Sequence, residues 1–236
     1  MTDRLAFLND LEAFAADSAR TGTLPRHGAL PAVADEIHRL ALGMLWHPDD
    51  AEHAAQRILR AATEDRSTHG ESRRVVLLRM AARYLLASEP SPFERQGWTF
   101  ETLAADLTRG RDEPLPPSAF GPRSLLLVEE VKRVCGQTML LCLDRSHRIA
   151  YLLASLDDMD EHTGAAILEV DVADFQARAN RARELVARFT DENCGLVNRS
   201  HPCHCSRRLG RSLVTGRVDP DELLFVHTLP ASVRAS

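Results

Sequence analysis

Aromatic side chains make up only 5% of this 236-residue sequence, and the alternating β-branched runs that build strands are almost absent, so sheet architectures are excluded and helix is expected throughout. No apolar run approaches the about 18 residues needed to span a bilayer, which excludes a membrane helix. The first residues, MTDRLAFLND, lack a basic segment followed by an apolar stretch, so a soluble, cytoplasmic protein without membrane partners is expected. Lysine is nearly missing: Lys132 is the single one among 29 basic residues. Guanidinium groups suit phosphate recognition, although a GC-rich genome produces the same bias. The sequence also lacks a glycine-rich phosphate loop, a nucleophile elbow and an HExxH pair. Glu52-His53 and Glu161-His162 are neighbours only along the chain and diverge on a helix, so no enzyme constellation remains and a binding protein is expected. The cysteines are few and odd in number, five in all, with three of them between Cys194 and Cys205. That pattern excludes an extracellular disulfide framework and leaves metal or reduced thiols.

What is present is the composition of a folded globular protein, 44% apolar and 27% charged. Helical spacing of apolar residues marks Asp3 to Ala19, with Leu5, Leu8, Leu11 and Ala15 on one face, and Pro31 to Leu45, with Val33, Ile37, Leu40, Ala41 and Met44. Asp49 or Asp50 can cap a third helix through Ala62, and Ser72 a fourth through Ala87. Prolines then concentrate between Ser88 and Arg123, which reads as a linker holding one short helix, Phe100 to Leu107, capped by Thr99 or Thr102. Beyond it lie helices at Leu125 to Leu143, Arg145 to Leu156, Asp160 to Leu168 and Val172 to Phe189. Cys135 and Cys142 are seven residues apart on one face of the first of these and read as small core residues. The last pair, joined by about three residues with the second helix longer and arginine-rich, has the form of a helix-turn-helix.

The expected architecture is all-α: two small helical domains, residues 1–88 and 125–190, a proline-rich linker at 89–124, and a cysteine-rich extension at 191–236. The net charge of −5 conceals a local contrast. Residues 88–171 carry 8 basic and 15 acidic groups, whereas residues 172–211 carry 8 basic and 4 acidic ones, so the basic excess begins at the proposed recognition helix.

Three stretches, in order, resemble the bacterial extracytoplasmic-function sigma factors. The segment LALGMLWHPDDAEHAAQRILRAA, Leu40 to Ala62, is similar to that family's polymerase-binding segment. Val128 to Phe189, with Leu143-Asp144-Arg145, His147-Arg148 and the Phe175 to Arg183 helix, is similar to its promoter-reading domain. The stretch CGLVNRSHPCHC, Cys194 to Cys205, resembles a cysteine tail found in a subset of the family. Together they cover about half the chain. The resemblance implies a transcription initiation factor that binds core RNA polymerase and directs it to promoter DNA, with an anti-sigma factor as a possible further partner.

On that reading Gln176, Arg178, Asn180, Arg181 and Arg183 contact DNA, with Phe175, Ala179, Ala182 and Leu185 facing inward; the bland alternative is a solvated helix face. Asp50, Gln56 and Arg57 dock on the polymerase, although ordinary capping explains Asp50 equally well. Arg73, Arg74 and Arg79 lie by the promoter element that is melted, or simply form a charged helix start. Cys194, Cys203 and Cys205 with His201 or His204 supply the ligand types of a structural zinc ion, Zn2+. Cys203 and Cys205 are closer in sequence than the usual CxxC, which leaves room for a spectator among them, and free thiols or a redox pair would leave the same sequence. Two features separate this chain from the family pattern. The helix SRRVVLLRMAARYLL holds only Tyr84 where aromatics assist melting, and Glu169 stands at a turn position where glycine is usual. They support a rival reading as a sigma-derived regulatory or metal-responsive interaction protein that does not melt promoters.

Overall fold

The structure, a computed structural model, describes residues 30–64, 72–109, 121 and 123–226. The helix expected from Asp3 to Ala19, most of the loop from Thr63 to Glu71, and Pro114, Pro116, Pro117 and Pro122 lie outside the described residues. The described residues are all-α: nine helices and one 3₁₀ turn, with no strand. They are α1 Leu30–Leu45, α2 Pro48–Glu64, α3 Arg73–Ala87, the 3₁₀ turn Glu94–Gln96, α4 Phe100–Thr108, α5 Ser124–Leu141, α6 Arg145–Ala154, α7 Glu161–Leu168, α8 Val172–Asn193 and α9 Cys205–Val214. None is long and apolar enough to cross a membrane.

Capping side chains explain four of the nine described helix starts. Thr99 accepts from the Thr102 N–H at 3.1 Å while the Thr102 hydroxyl accepts from the Thr99 N–H at 2.9 Å, a reciprocal cap that starts α4. Asp144 opens α6 by accepting the N–H groups of Ser146 and His147, both at 3.0 Å. Asp160 opens α7 through the Thr163 N–H at 2.9 Å, and Asp171 opens α8 through the Asp174 N–H at 2.7 Å. Each such cap satisfies donors that a helix start leaves without an internal partner. Ser72 occupies the cap position of α3, but its side chain makes no capping bond.

The helices group into two compact units, and the grouping differs from the division expected along the sequence. Within the described residues, 30–97 group with 143–186, and 98–142 with 187–226. The helices expected as a separate second domain therefore divide, with α5 in one unit and α6, α7 and most of α8 in the other. The stretch expected as a linker supplies packed residues to both: Ser91 is buried in the first unit, and Leu103, Asp106 and Leu107 are buried in the second.

In the first unit, α1 packs on α2, α3 and α6, and α3 packs on α7. Ile37, Leu40, Met44, Leu78, Leu85, Ile149, Leu153 and Ile167 are fully buried there; each such side chain contributes about 1.5–3 kcal/mol by leaving water. Two glycines permit close approach. A Cβ at Gly43 would lie 2.6 Å from a Leu152 methyl, and one at Gly164 would lie 2.3 Å from the Phe175 ring, which seats α7 against α8. Trp46 ends α1 in the left-handed region, at φ 75°, and its ring stacks on Phe93 at 3.7 Å between centroids. The buried Arg148 guanidinium ties the unit together, donating to Met44 O at 3.0 Å, to Leu143 O at 2.8 Å and to Glu94 Oε1 at 3.1 Å. Arg145 adds a bond to the Ser88 hydroxyl at 2.9 Å and another to Leu85 O.

In the second unit, α9 packs on α5 around Leu127, Val131, Val134 and Leu209. Phe100 and Phe189 meet at 5.3 Å. Buried Glu130 accepts the successive N–H groups of Leu224, Phe225 and Val226 at 2.8 to 3.2 Å, which fastens the chain beyond α9 to α5. Asp106 on α4 is the centre of a buried ion cluster, with Arg208 at 2.9 Å, Arg217 at 2.5 Å and Arg211 at 3.8 Å.

Candidate functional site

Two regions hold the sequence-predicted site residues, one in each unit. In the first unit α7 and α8 are joined by Glu169, Val170 and Asp171. Glu169 takes the left-handed conformation, φ 56° and ψ 42°, where a side chain other than glycine is strained. Its carboxylate is engaged by Arg83 of α3, whose Nε donates at 2.7 Å; this bond holds the carboxyl below its ordinary range and the guanidinium above its own. Arg79 of α3 donates to Ala166 O at 3.1 Å.

Along α8, Phe175, Ala179, Ala182 and Val186 are buried, while Leu185 is half-buried, so the inward face is one residue displaced at its C-terminal end from the expected one. Asn180, Arg181 and Arg183 are exposed, and Gln176 and Arg178 are half-buried. Each makes a local contact. Gln176 donates to Glu161 at 2.7 Å, Arg178 to Asp174 at 2.9 Å and Arg183 to Asn180 at 2.7 Å, and Arg181 lies 3.8 Å from Glu184. Exposed pairs of this kind are weak and exchange readily for a phosphate or base edge.

Asp50 is exposed in the first turn of α2. Gln56 donates to Glu52 at 2.7 Å, and the exposed Arg57 sits 5.8 Å over the Tyr84 ring. Of the three α3 arginines expected near DNA, Arg73 is exposed, whereas Arg74 is committed within the unit, gripping Glu36 at 2.7 to 3.1 Å and Asp157 O at 2.8 Å.

The second region is the chain from Cys194 to Cys205. Cys194 O accepts from Asn198 N–H at 2.9 Å, His201 N–H bonds Asn198 O at 3.0 Å, and Gly195 N–H bonds Cys203 O at 2.9 Å. A Cβ at Gly195 would lie 2.4 Å from Cys203 O, so only glycine admits this backbone approach. The result brings together Cys194, Cys203 and Cys205 with Cys135 of α5 around one cavity of about 50 Å³, walled by Leu103, Leu107, Val131, Val134 and Met139. His201 is half-buried and is not part of this lining. Burial pushes the Cys205 thiol up to about 12 and raises the Cys135 thiol well above its ordinary value, and the neighbouring cysteines add to both shifts. The five cysteines form no disulfide. Among the described residues, no three metal-binding side chains converge on one point.

Sequence reasoning missed Cys135, which spacing on its own helix marks only as a core residue, and it missed α9. The buried face of α9 consists of Arg208, Leu209, Gly210 and Ser212, so apolar periodicity gave little signal for it.

Comparison with known proteins adds no relative: no family model, no curated protein and no solved structure matches this chain.

Proposed function

We propose that this protein is a transcription initiation factor of the extracytoplasmic-function sigma type, which binds core RNA polymerase and directs it to promoter DNA. The observation that carries this reading is α8. It is a 22-residue helix that follows α7 after three residues; Gln176, Asn180 and Arg183 fall at helical spacing along one side of the buried row of Phe175, Ala179, Ala182 and Val186, with Asn180 and Arg183 exposed, and Arg181 is exposed on the other side. Amide and guanidinium groups on one exposed helix face can pair with base edges and phosphates in a major groove. The ordered resemblance of Leu40 to Ala62, Val128 to Phe189 and Cys194 to Cys205 to the family supports the same reading. On it, Asp50, Gln56 and Arg57 contact polymerase, Arg73 is the α3 arginine best placed for promoter DNA, and the protein acts in the cytoplasm by recruitment, with no catalytic step.

A second reading has its own observation. Tyr84 is the one aromatic residue of α3, is half-buried and lies under Arg57, so α3 presents little flat surface for an unpaired base. A sigma-derived regulator that binds polymerase without melting DNA fits that helix.

The test is binding of the purified chain to core polymerase, followed by selection of duplex DNA by the complex. The proposal expects a stable complex that enriches one sequence, and weaker enrichment with Arg181→Ala and Arg183→Ala. Failure to bind core polymerase overturns both readings.

A further inference from the structure

We infer that Cys135, Cys194, Cys203 and Cys205 are the four ligands of a tetrathiolate zinc site in which Cys135 of α5, and not His201, completes the set. The inference rests on no part of the transcription reading.

Four observations carry it. First, these four cysteines, brought from α5, the end of α8, the connecting loop and the start of α9, line one cavity, whereas the fifth, Cys142, is not part of that lining. Apolar side chains could fill such a gap, yet thiols are gathered there from positions up to 70 residues apart. Second, the short spacing of Cys203 and Cys205 is no obstacle. His204 between them is extended, at φ −124° and ψ 141°, and residues flanking an extended one point to the same side.

Third, the loop is held by backbone hydrogen bonds and by the glycine contact between residues 195 and 203, the close turn that presents two cysteines to a metal. Fourth, charge balances. A zinc ion with four thiolates carries a net charge of about −2. The charged residues lining the cavity are Lys132, Arg208 and Arg217, all cationic. Arg208, Arg211 and Arg217 surround the single carboxylate of Asp106, which leaves an excess of two positive charges beside the thiols. Arg208 and Asp106 are buried together, the further positive charge sits on the half-buried Arg211 and Arg217, and Lys132 pairs with Glu129 at 3.9 Å; a dianionic centre would complement the remaining arginine charge.

A zinc ion would draw the sulfurs to about 2.3 Å from one point. The metal would also deprotonate the thiols and join α5, α8 and α9 covalently in a region whose core is otherwise small. Four protein ligands would fill a tetrahedral shell and leave no open coordination position, so the site would be structural and not catalytic.

The experiment uses the full chain, purified under reductant and reconstituted with Zn2+ or Co2+ alone. One equivalent of metal is expected, and the cobalt form should show thiolate charge-transfer absorption with the intense d–d bands of a tetrahedral tetrathiolate. Loss of a partner outside the ligand shell costs 10–100-fold in metal affinity, so Cys135→Ser is expected to lose about 100-fold or more. His201→Ala and Cys142→Ser are expected to bind as the parent does. Cys135→Ala, with helical content measured alongside, separates lost ligation from lost folding: an intact helical signal with lost cobalt absorption supports the assignment. A parent that takes up neither metal overturns the site. A spectrum of three thiolates and one imidazole, abolished by His201→Ala and retained by Cys135→Ser, overturns the ligand set.

Discussion

Arg148→Met should destabilise the first unit by about 3–5 kcal/mol, the range for removing one partner from a buried ion pair. The estimate follows from what the guanidinium holds. It is 1% exposed and donates to Met44 O, Leu143 O and Glu94 Oε1. Methionine fills a similar volume but has no donor. Two buried carbonyls would then lose this donor, at about 1–3 kcal/mol each. Glu94 retains Arg145, 3.4 Å away, so its carboxylate is not left alone, which keeps the total within that range. Arg148 already bears the cost of its own burial, which pushes its pKa down against the opposing pull of Glu94. In a chain of this size each kcal/mol moves the melting temperature by about 2–4 °C, so a fall of about 6–20 °C is expected, measured by circular dichroism. Urea denaturation gives the free energy directly, and pairing the change with Glu94→Gln tests the coupling. A loss below about 1 kcal/mol, or no coupling, would refute the claim that this network holds α1, α6 and the 3₁₀ turn together.

Other expectations follow from single residues. Glu169→Gly removes the left-handed strain and the Arg83 pair together, whereas Glu169→Ala removes only the pair, so the glycine variant should melt above the alanine variant; the reverse order refutes the strain. Asp144→Ala should cost about 1 kcal/mol by uncapping α6, measured by urea denaturation. Burial raises the Asp144 carboxyl, but bonds from the His147 N–H, the Ser146 hydroxyl and the His147 ring outweigh it and hold the carboxyl down at about 2. Its contribution is therefore full above the ordinary carboxylate value and is lost as pH falls towards about 2, and Asp144→Ala should flatten stability over that acid range. His38 behaves differently: burial lowers its pKa against Glu52 and Asp35, and its Nδ1 has no partner. The unfolded chain thus takes the proton first, stability falls as pH drops through about 6.5, and His38→Gln should reduce that slope in denaturation measured between neutral and mildly acid pH.

The helices were legible wherever apolar spacing and a capping side chain agreed. Val33, Ile37, Leu40, Ala41 and Met44 are all buried on α1, and the Thr99 and Thr102 caps place α4 within a residue of its observed end. The grouping of the helices was not legible, because it depends on long-range contacts such as Arg74 with Glu36 and Arg148 with Met44, which leave no local periodicity. The face of α8 was nearly correct, since Phe175, Ala179 and Ala182 follow the helical repeat; Val186 replaced Leu185 because a helix drifts relative to any whole-number spacing. The thiol cluster was half legible. Cys194, Cys203 and Cys205 announce themselves by proximity in the chain, but Cys135 joins them only through the packing of α9 on α5, and α9 buries Arg208 and Ser212 in place of an apolar stripe.

The proposed function is tested most directly by run-off transcription with purified core polymerase, the full chain and the DNA that the complex selects. The proposal predicts transcripts from one start site that disappear without the protein and weaken with Arg183→Ala. Polymerase binding with no transcript, on duplex and on pre-melted templates alike, would contradict it.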